Sequence, residues 1–157
     1  MTGTAVLVLL AAAGANGLLA GASLDQSIKQ LPARKRIGVL AFARYSQAAD
    51  LTNGLPWYAT LGVGAAVLSL VAAGIALTQH PGGLGTAALV VLIVATVLHS
   101  ATTARAAPIN YAQRAVGDDE AALTAIFDRF ARWQTLRVIM QVIALIAALC
   151  ALPAFLP

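Results

Sequence analysis

Residues 105–141 read RAAPINYAQRAVGDDEAALTAIFDRFARWQTLRVIMQ. Apolar runs flank this stretch on both sides. It holds five of the ten basic residues and four of the six acidic ones, so it is a polar break between two apolar segments. It reads as a helix end, a short polar turn and the start of a long last helix. Asp118 suits the N-cap of that helix, and the acidic residues after it suit the positive end of the helix dipole. A helix from Asp119 to Leu152 would run roughly 50 Å at 1.5 Å per residue. The hydrocarbon core of a bilayer is about 30 Å thick, so its first turns should project into the aqueous phase.

Outside this stretch, every other charged residue lies within Asp25–Asp50. The rest of the chain carries no charge, which is the pattern of membrane-spanning segments. The composition agrees: 60% of the residues are hydrophobic and only 10% are charged, against about 25% charged in an ordinary soluble domain. The 157 residues suffice for one small bundle. The expected fold is all-α, an integral membrane four-helix bundle with a cytoplasmic extension of the last helix. It forms a single domain, 1–157, with spans near 4–22, 56–77, 84–104 and 136–152. The formal charge of +4 points to topology rather than to nucleic acid, because a bundle in lipid leaves little surface for a duplex.

The first span competes with a signal peptide, since Ala20-Gly21-Ala22 resembles a cleavage site. No positive residue precedes the apolar run, so retention is expected. Its helix should extend through Ser23–Gln30 and stop before Pro32. Pro32-Ala33-Arg34-Lys35-Arg36 is the densest basic cluster. Ile37–Asp50 reads as a short helix, interfacial or tucked against the bundle. Thr52-Asn53-Gly54 should break the chain before Pro56 opens the second span. Trp57 and Tyr58 fall where an interfacial aromatic belt would lie. Thr78–Gly83 is an uncharged turn, and Leu84–Ala104 is the third span despite its β-branched run.

Both charged windows then fall at one end of a four-span bundle, while the 78–83 turn and the termini carry no Lys or Arg. The positive-inside rule puts the windows in the cytoplasm and both termini outside, in a bacterial inner (plasma) membrane.

Polar groups inside a membrane are costly and are therefore candidates for function. His99, Thr103 and Asn110 follow helical spacing if the third helix continues past Pro108. Gln134, Arg137 and Gln141 share one face of the fourth. Asn16, Ser23 and Ser27 lie near one stripe of the first. All but Asn16 fall in the charged half, where they could line a polar pocket opening toward the cytoplasmic face. Each has a plainer reading. Asn16 beside Gly14 and Gly17 suits a helix–helix hydrogen bond. Asp25 and Lys29 suit a solvated ion pair. His80 suits an exposed loop. His99 is open between a base, a haem ligand and a packing residue. Arg137 has the alternative of snorkelling to headgroups, and Phe127, Phe130 and Trp133 that of core packing. Cys150 reads as a small buried hydrophobe. Neither a soluble-enzyme motif nor a metal-ligating cluster is present.

Pro108-Ile109-Asn110 after the third span, and Phe130-Ala131-Arg132-Trp133-Gln134-Thr135-Leu136-Arg137 opening the fourth, resemble the anthrone oxygenase-like membrane proteins. That family has four spans, a Pro-x-Asn motif after the third, and a Trp-rich segment ending in His-x-x-Arg. Residues 41–56, with Arg44, Tyr45, Gly54 and Pro56, look like its stretch before the second span. Asn110 and Arg137 match the family motif; Gln134 stands where its His would be, and Phe130 where its Trp would be.

The resemblance implies a small membrane enzyme that oxidises or rearranges an apolar aromatic or polyketide-type substrate. The means would be deprotonation and oxyanion stabilisation. Arg137 and Asn110 would be the oxyanion donors, acting as a pair, with His99 the remaining base and Gln134 beside them. Trp133 and Phe130 would stack on a flat substrate, with Gln141, Arg44 and Tyr45 as further contacts. No cofactor and no metal are expected, with dioxygen as co-substrate if the reaction is an oxygenation. The expected partners are the lipid bilayer and an apolar small molecule, with a homo-oligomer left open. Two other readings stand beside this one. The first is a non-catalytic lipid- or quinone-binding protein or complex subunit. The second is a haem-dependent membrane isomerase or oxygenase with His99 as axial ligand.

Overall fold

The computed structural model describes residues 2–156. Four helical stretches are long and apolar enough to cross a membrane: Gly3–Ile37, Val39–Leu77, Gly83–Arg114 and Glu120–Phe155. The first comprises α1 (Thr2–Asp25), a π turn (Gln26–Gln30) and α2 (Leu31–Ile37). The second comprises α3 (Val39–Ala48), a second π turn (Ala49–Asn53) and α4 (Gly54–Leu77). Then come α5 (Gly83–Tyr111), a 3-10 turn (Ala112–Arg114), α6 (Glu120–Ala151) and a terminal 3-10 turn (Leu152–Phe155).

The helices form a ring. The helix α1 packs on α4 and α6, α4 packs on α5, and α5 and α6 share the longest seam. The buried positions recur every three or four residues: Leu89, Leu92, Thr96, His99 and Ala106 on α5, and Phe127, Phe130, Gln134, Val138, Gln141 and Ala144 on α6. That spacing lines one helical face. Toward the uncharged end the filling is mostly alanine, with Ala12, Ala72, Ala73, Ala76, Ala147, Ala148 and Ala151 packed around Leu9, Leu89 and Leu92. Small side chains let helix backbones approach closely where lipid supplies no hydrophobic drive. Asn16 donates to Ser69 Oγ at 2.7 Å and to Ala12 O at 2.8 Å, the helix–helix role its small neighbours suggested. At the charged end a second cluster joins Leu31, Phe42, Leu123, Phe127 and Phe130, with Phe42 edge-on to Phe127 at 4.9 Å. An ion pair between Arg34 and Asp128 ties α2 to α6.

Several boundaries differ from the sequence expectations. The first helix does not stop before Pro32. It widens into the π turn, where Leu31 N–H reaches Gln26 O, and continues with Pro32 near the start of α2. Pro32 therefore sits in a first turn, where its missing N–H costs least. The real break is Gly38, whose φ of +86° is open to glycine but strained for other residues.

Thr52-Asn53-Gly54 is not a break either. It completes the second π turn, which closes with Gly54 N–H on Ala49 O. A Cβ on Gly54 would lie 2.6 Å from that oxygen and 3.2 Å from Tyr58, so a side chain here would force this turn to shift. The N-cap of α6 is Asp119, which accepts from Ala122 N–H at 3.0 Å, rather than Asp118. Asp118 instead lies 3.7 Å from exposed Arg44. Cys150 is exposed, not buried; on a bundle in lipid an apolar helix face need not be covered by protein.

Candidate functional site

Pro108 lies inside α5, so the helix carries past it and brings Asn110 onto the His99–Thr103 face. The Thr102 and Thr103 hydroxyls both donate to His99 O, meeting their polar need within the helix. On α6, Arg137 and Gln141 face inward from the opposite wall. His99, Asn110, Arg137 and Gln141 all line one cavity of about 180 Å³ at the charged half of the bundle. Phe130 closes part of it, as do Leu19, Ser23 and Gln26 from the first stretch and Asp50, Leu55, Tyr58 and Ala59 from the second. Each π turn thus supplies a polar residue, Gln26 from one and Asp50 from the other. π turns recur at functional sites because the wider turn re-aims side chains.

A chain of polar contacts runs along the wall. Arg137 Nη2 donates to Gln26 Oε1 at 3.2 Å. The Gln26 amide also faces the Asp50 carboxylate, which accepts from Ser46 Oγ at 2.9 Å. Gln113 Nε2 donates to Ser46 Oγ at 3.2 Å and to Asn110 Oδ1 at 2.9 Å. Arg137 and Asn110 are therefore linked, but through Gln26, Asp50, Ser46 and Gln113. Among the described residues no direct hydrogen bond joins them. Arg137 is turned into the bundle, where Gln26 stands between it and Asp50 and no ion pair joins the two among the described residues. With Gln113 on its oxygen, Asn110 keeps its Nδ2 for the cavity.

Other polar atoms on this wall have no partner. Ser23 Oγ, Arg137 Nε and Gln141 Oε1 are buried and unsatisfied. Gln141 Nε2 lies 3.2 Å from His99 Nδ1. The pair can form in either sense: the amide donates to Nδ1 with the ring proton on Nε2, or the turned amide oxygen accepts from Nδ1–H and Nε2 keeps its lone pair.

The remaining candidates fall elsewhere. Gln134 is fully buried behind the cavity and donates to Ser23 O at 3.2 Å. Trp133 packs against the aromatic cluster at the charged end and does not line the cavity. Tyr45 lines a separate open groove of about 400 Å³ with Gln30, Asn53 and Trp57. Arg44 is exposed beside Asp118. Asp25 and Lys29 form a largely exposed pair at 2.5 Å, and His80 is exposed in the 78–83 turn.

Asp50, Gln26 and Tyr58 were not singled out from the sequence. Asp50 lay at the end of a stretch read as a separate short helix. By sequence Tyr58 falls in an aromatic belt beside Trp57, but only Trp57 is exposed there, at 55%. The signal that could have flagged Asp50 is its isolation, since no other acidic residue lies between Asp25 and Asp118.

No protein-family model, curated protein or solved structure matches the chain. The functional reading therefore rests on the site itself. Among the described residues, no group of three or more His, Cys, Asp or Glu side chains is arranged to hold a metal ion.

Proposed function

We propose that the protein is a small integral membrane enzyme that takes a proton from an apolar aromatic or polyketide-type molecule and holds the resulting oxyanion. The observation that carries this reading is the cavity, where His99, Asn110 and Arg137 from two facing helices meet beside unsatisfied polar atoms. Arg137 and the Asn110 Nδ2 are the donors to the developing oxyanion. His99 is the base. When the Gln141 carboxamide turns its unpartnered oxygen to Nδ1–H, the Nε2 lone pair is free to accept a proton. Gln134 holds its neighbours in place rather than touching the substrate, while Gln26 in the cavity wall orients Arg137. The charged end faces the cytoplasm of a bacterial inner membrane, in keeping with the positive-inside rule.

The resemblance to anthrone oxygenases supplies the type of reaction, although the three fused rings of anthrone itself exceed a cavity of about 180 Å³. The methylene between two aryl rings is acidified by the conjugated ketone, and its anion reacts with dioxygen. The carbon loses two hydrogens and gains one oxygen atom; the other oxygen leaves as water. The protein's part is to remove the first proton, steady the oxyanion and keep the ring in a dry pocket.

The polar chain from Arg137 to Asn110 also suits a non-catalytic binding protein, so turnover must be measured. Purified protein in lipid nanodiscs should consume dioxygen when given a one-ring enolisable aryl ketone with an apolar tail, which a cavity of about 180 Å³ can enclose. Arg137→Lys, which keeps the charge but loses the planar fork, should fold and lose that activity, as should Asn110→Ala. Binding without oxygen uptake would select the non-catalytic reading. The haem reading is the weakest, because a macrocycle of four pyrrole rings is far larger than this cavity. A Soret band in the purified protein would revive it.

A further inference from the structure

The cavity's wall is not uniformly closed. Its residues on α1 and α6 are mostly buried: Leu19, Ser23, Phe130 and Gln141. Its exposed residues, Leu55 and Ala59, are both on α4, and the facing Ala107 and Tyr111 of α5 are partly exposed. Leu55, Ala59 and Gly62 share one stripe of a charge-free helix, while Ala107 and Tyr111 lie just past Arg105, so this side of the cavity opens where the apolar helices meet the charged end, at the level of a lipid interface. The neighbouring open groove is separated from the cavity by Asp50 and Tyr58, which line both. The opening lies at the charged end, between α4 and α5.

Size narrows the occupant. An apolar cavity of about 150 Å³ holds a benzene molecule, so about 180 Å³ encloses one substituted ring and not three fused ones. The inner end carries the polar residues Ser23, Asn110, Arg137 and Gln141. The seam is apolar.

We infer that the cavity is loaded from within the bilayer through the α4–α5 seam. It encloses a single oxygen-bearing ring, phenolic or enolisable, whose remaining apolar body stays in the seam against lipid. This inference rests on the cavity being the substrate site, as proposed above, but it concerns binding and does not need turnover. The ring oxygen meets Arg137 and Asn110 at the floor. The seam residues select for a lipophilic body, so a ring carrying a charged substituent in place of that body is excluded.

The test is photolabelling of the whole protein in nanodiscs with an alkylphenol that carries a diazirine on its tail. Saturable labelling should map to Leu55, Ala59, Ala107 and Tyr111, and unmodified alkylphenol should compete. Gly62→Leu should lower saturable labelling roughly tenfold. A Cβ at Gly62 meets nothing within 4 Å, so the larger side chain fills cavity space rather than displacing backbone. Val63→Leu, on the lipid-facing side at 65% exposure, should label like the parent. Labelling at Gln30, Tyr45 or Asn53 would place entry at the groove and overturn the inference. So would labelling unchanged by Gly62→Leu, or no saturable labelling. Seam labelling in a protein that consumes no dioxygen would leave this inference standing and sink the enzymatic reading instead.

Discussion

The two halves of the bundle are built from the same helices at the same three-and-four spacing, yet they fill their centre differently. Toward the uncharged end, alanines from α1, α4 and α6 close on Leu9, Leu89 and Leu92, and one polar pair, Asn16–Ser69, is satisfied. Toward the charged end, the same stripes deliver Ser23, His99, Asn110, Arg137 and Gln141 to a cavity, and several of their polar atoms have no partner. A protein needing only to fold could have continued the alanine packing. Unsatisfied buried polar groups cost free energy, and most of them gather in the second half, Thr96 Oγ1 beside the alanine-packed cluster being an exception. That contrast is the physical ground for placing function there.

The contrast can be broken most sharply at Arg137. Arg137→Lys should lower turnover by about 10²–10³, the range for loss of an oxyanion donor, with little change in the melting curve. A comparable rate in the variant would make Arg137 a structural residue. Gly54→Ala comes next. The added Cβ would meet Ala49 O at 2.6 Å and Tyr58 at 3.2 Å, so the second π turn must rearrange and carry Asp50 with it. Turnover should fall roughly tenfold, and stability by about 1–3 kcal/mol, read by thermal unfolding in the same nanodiscs. The packed half should answer in the opposite sense. Ala73→Leu adds volume where the residue is fully buried, and should cost about 1–3 kcal/mol of stability while leaving the rate per folded molecule unchanged. Smallest is Asn16→Leu, which removes one interhelical hydrogen bond worth about 0.6 kcal/mol. It should shift the melting temperature slightly and leave alkylphenol labelling intact.

The four long apolar helices and their shared charged end were legible because charge is confined to 25–50 and 105–137. The inward stripe of Gln134, Arg137 and Gln141 was legible for the same reason. The π turns were not. Residues 26–30 and 49–53 have no composition that marks them, and Pro32 and Gly54 point to breaks when read locally. A wider turn can carry a helix through either residue, and only the three-dimensional path shows it. Missing the second turn hid Asp50 and Tyr58, because their approach to Arg137 depends on α3 and α4 running on as one stretch. Trp133 misled in the other direction: an aromatic one position before Gln134 lies on a different face of α6 and packs in the terminal cluster.

The most direct test of the central claim is an experimental structure of the protein in lipid nanodiscs, determined with an alkylphenol bound. The account predicts one ring inside the cavity, with its oxygen about 3 Å from Arg137 or the Asn110 Nδ2 and its tail leaving between α4 and α5. A collapsed cavity, with Arg137, Gln141 and Ser23 paired to one another and the alkylphenol seated elsewhere, would contradict it.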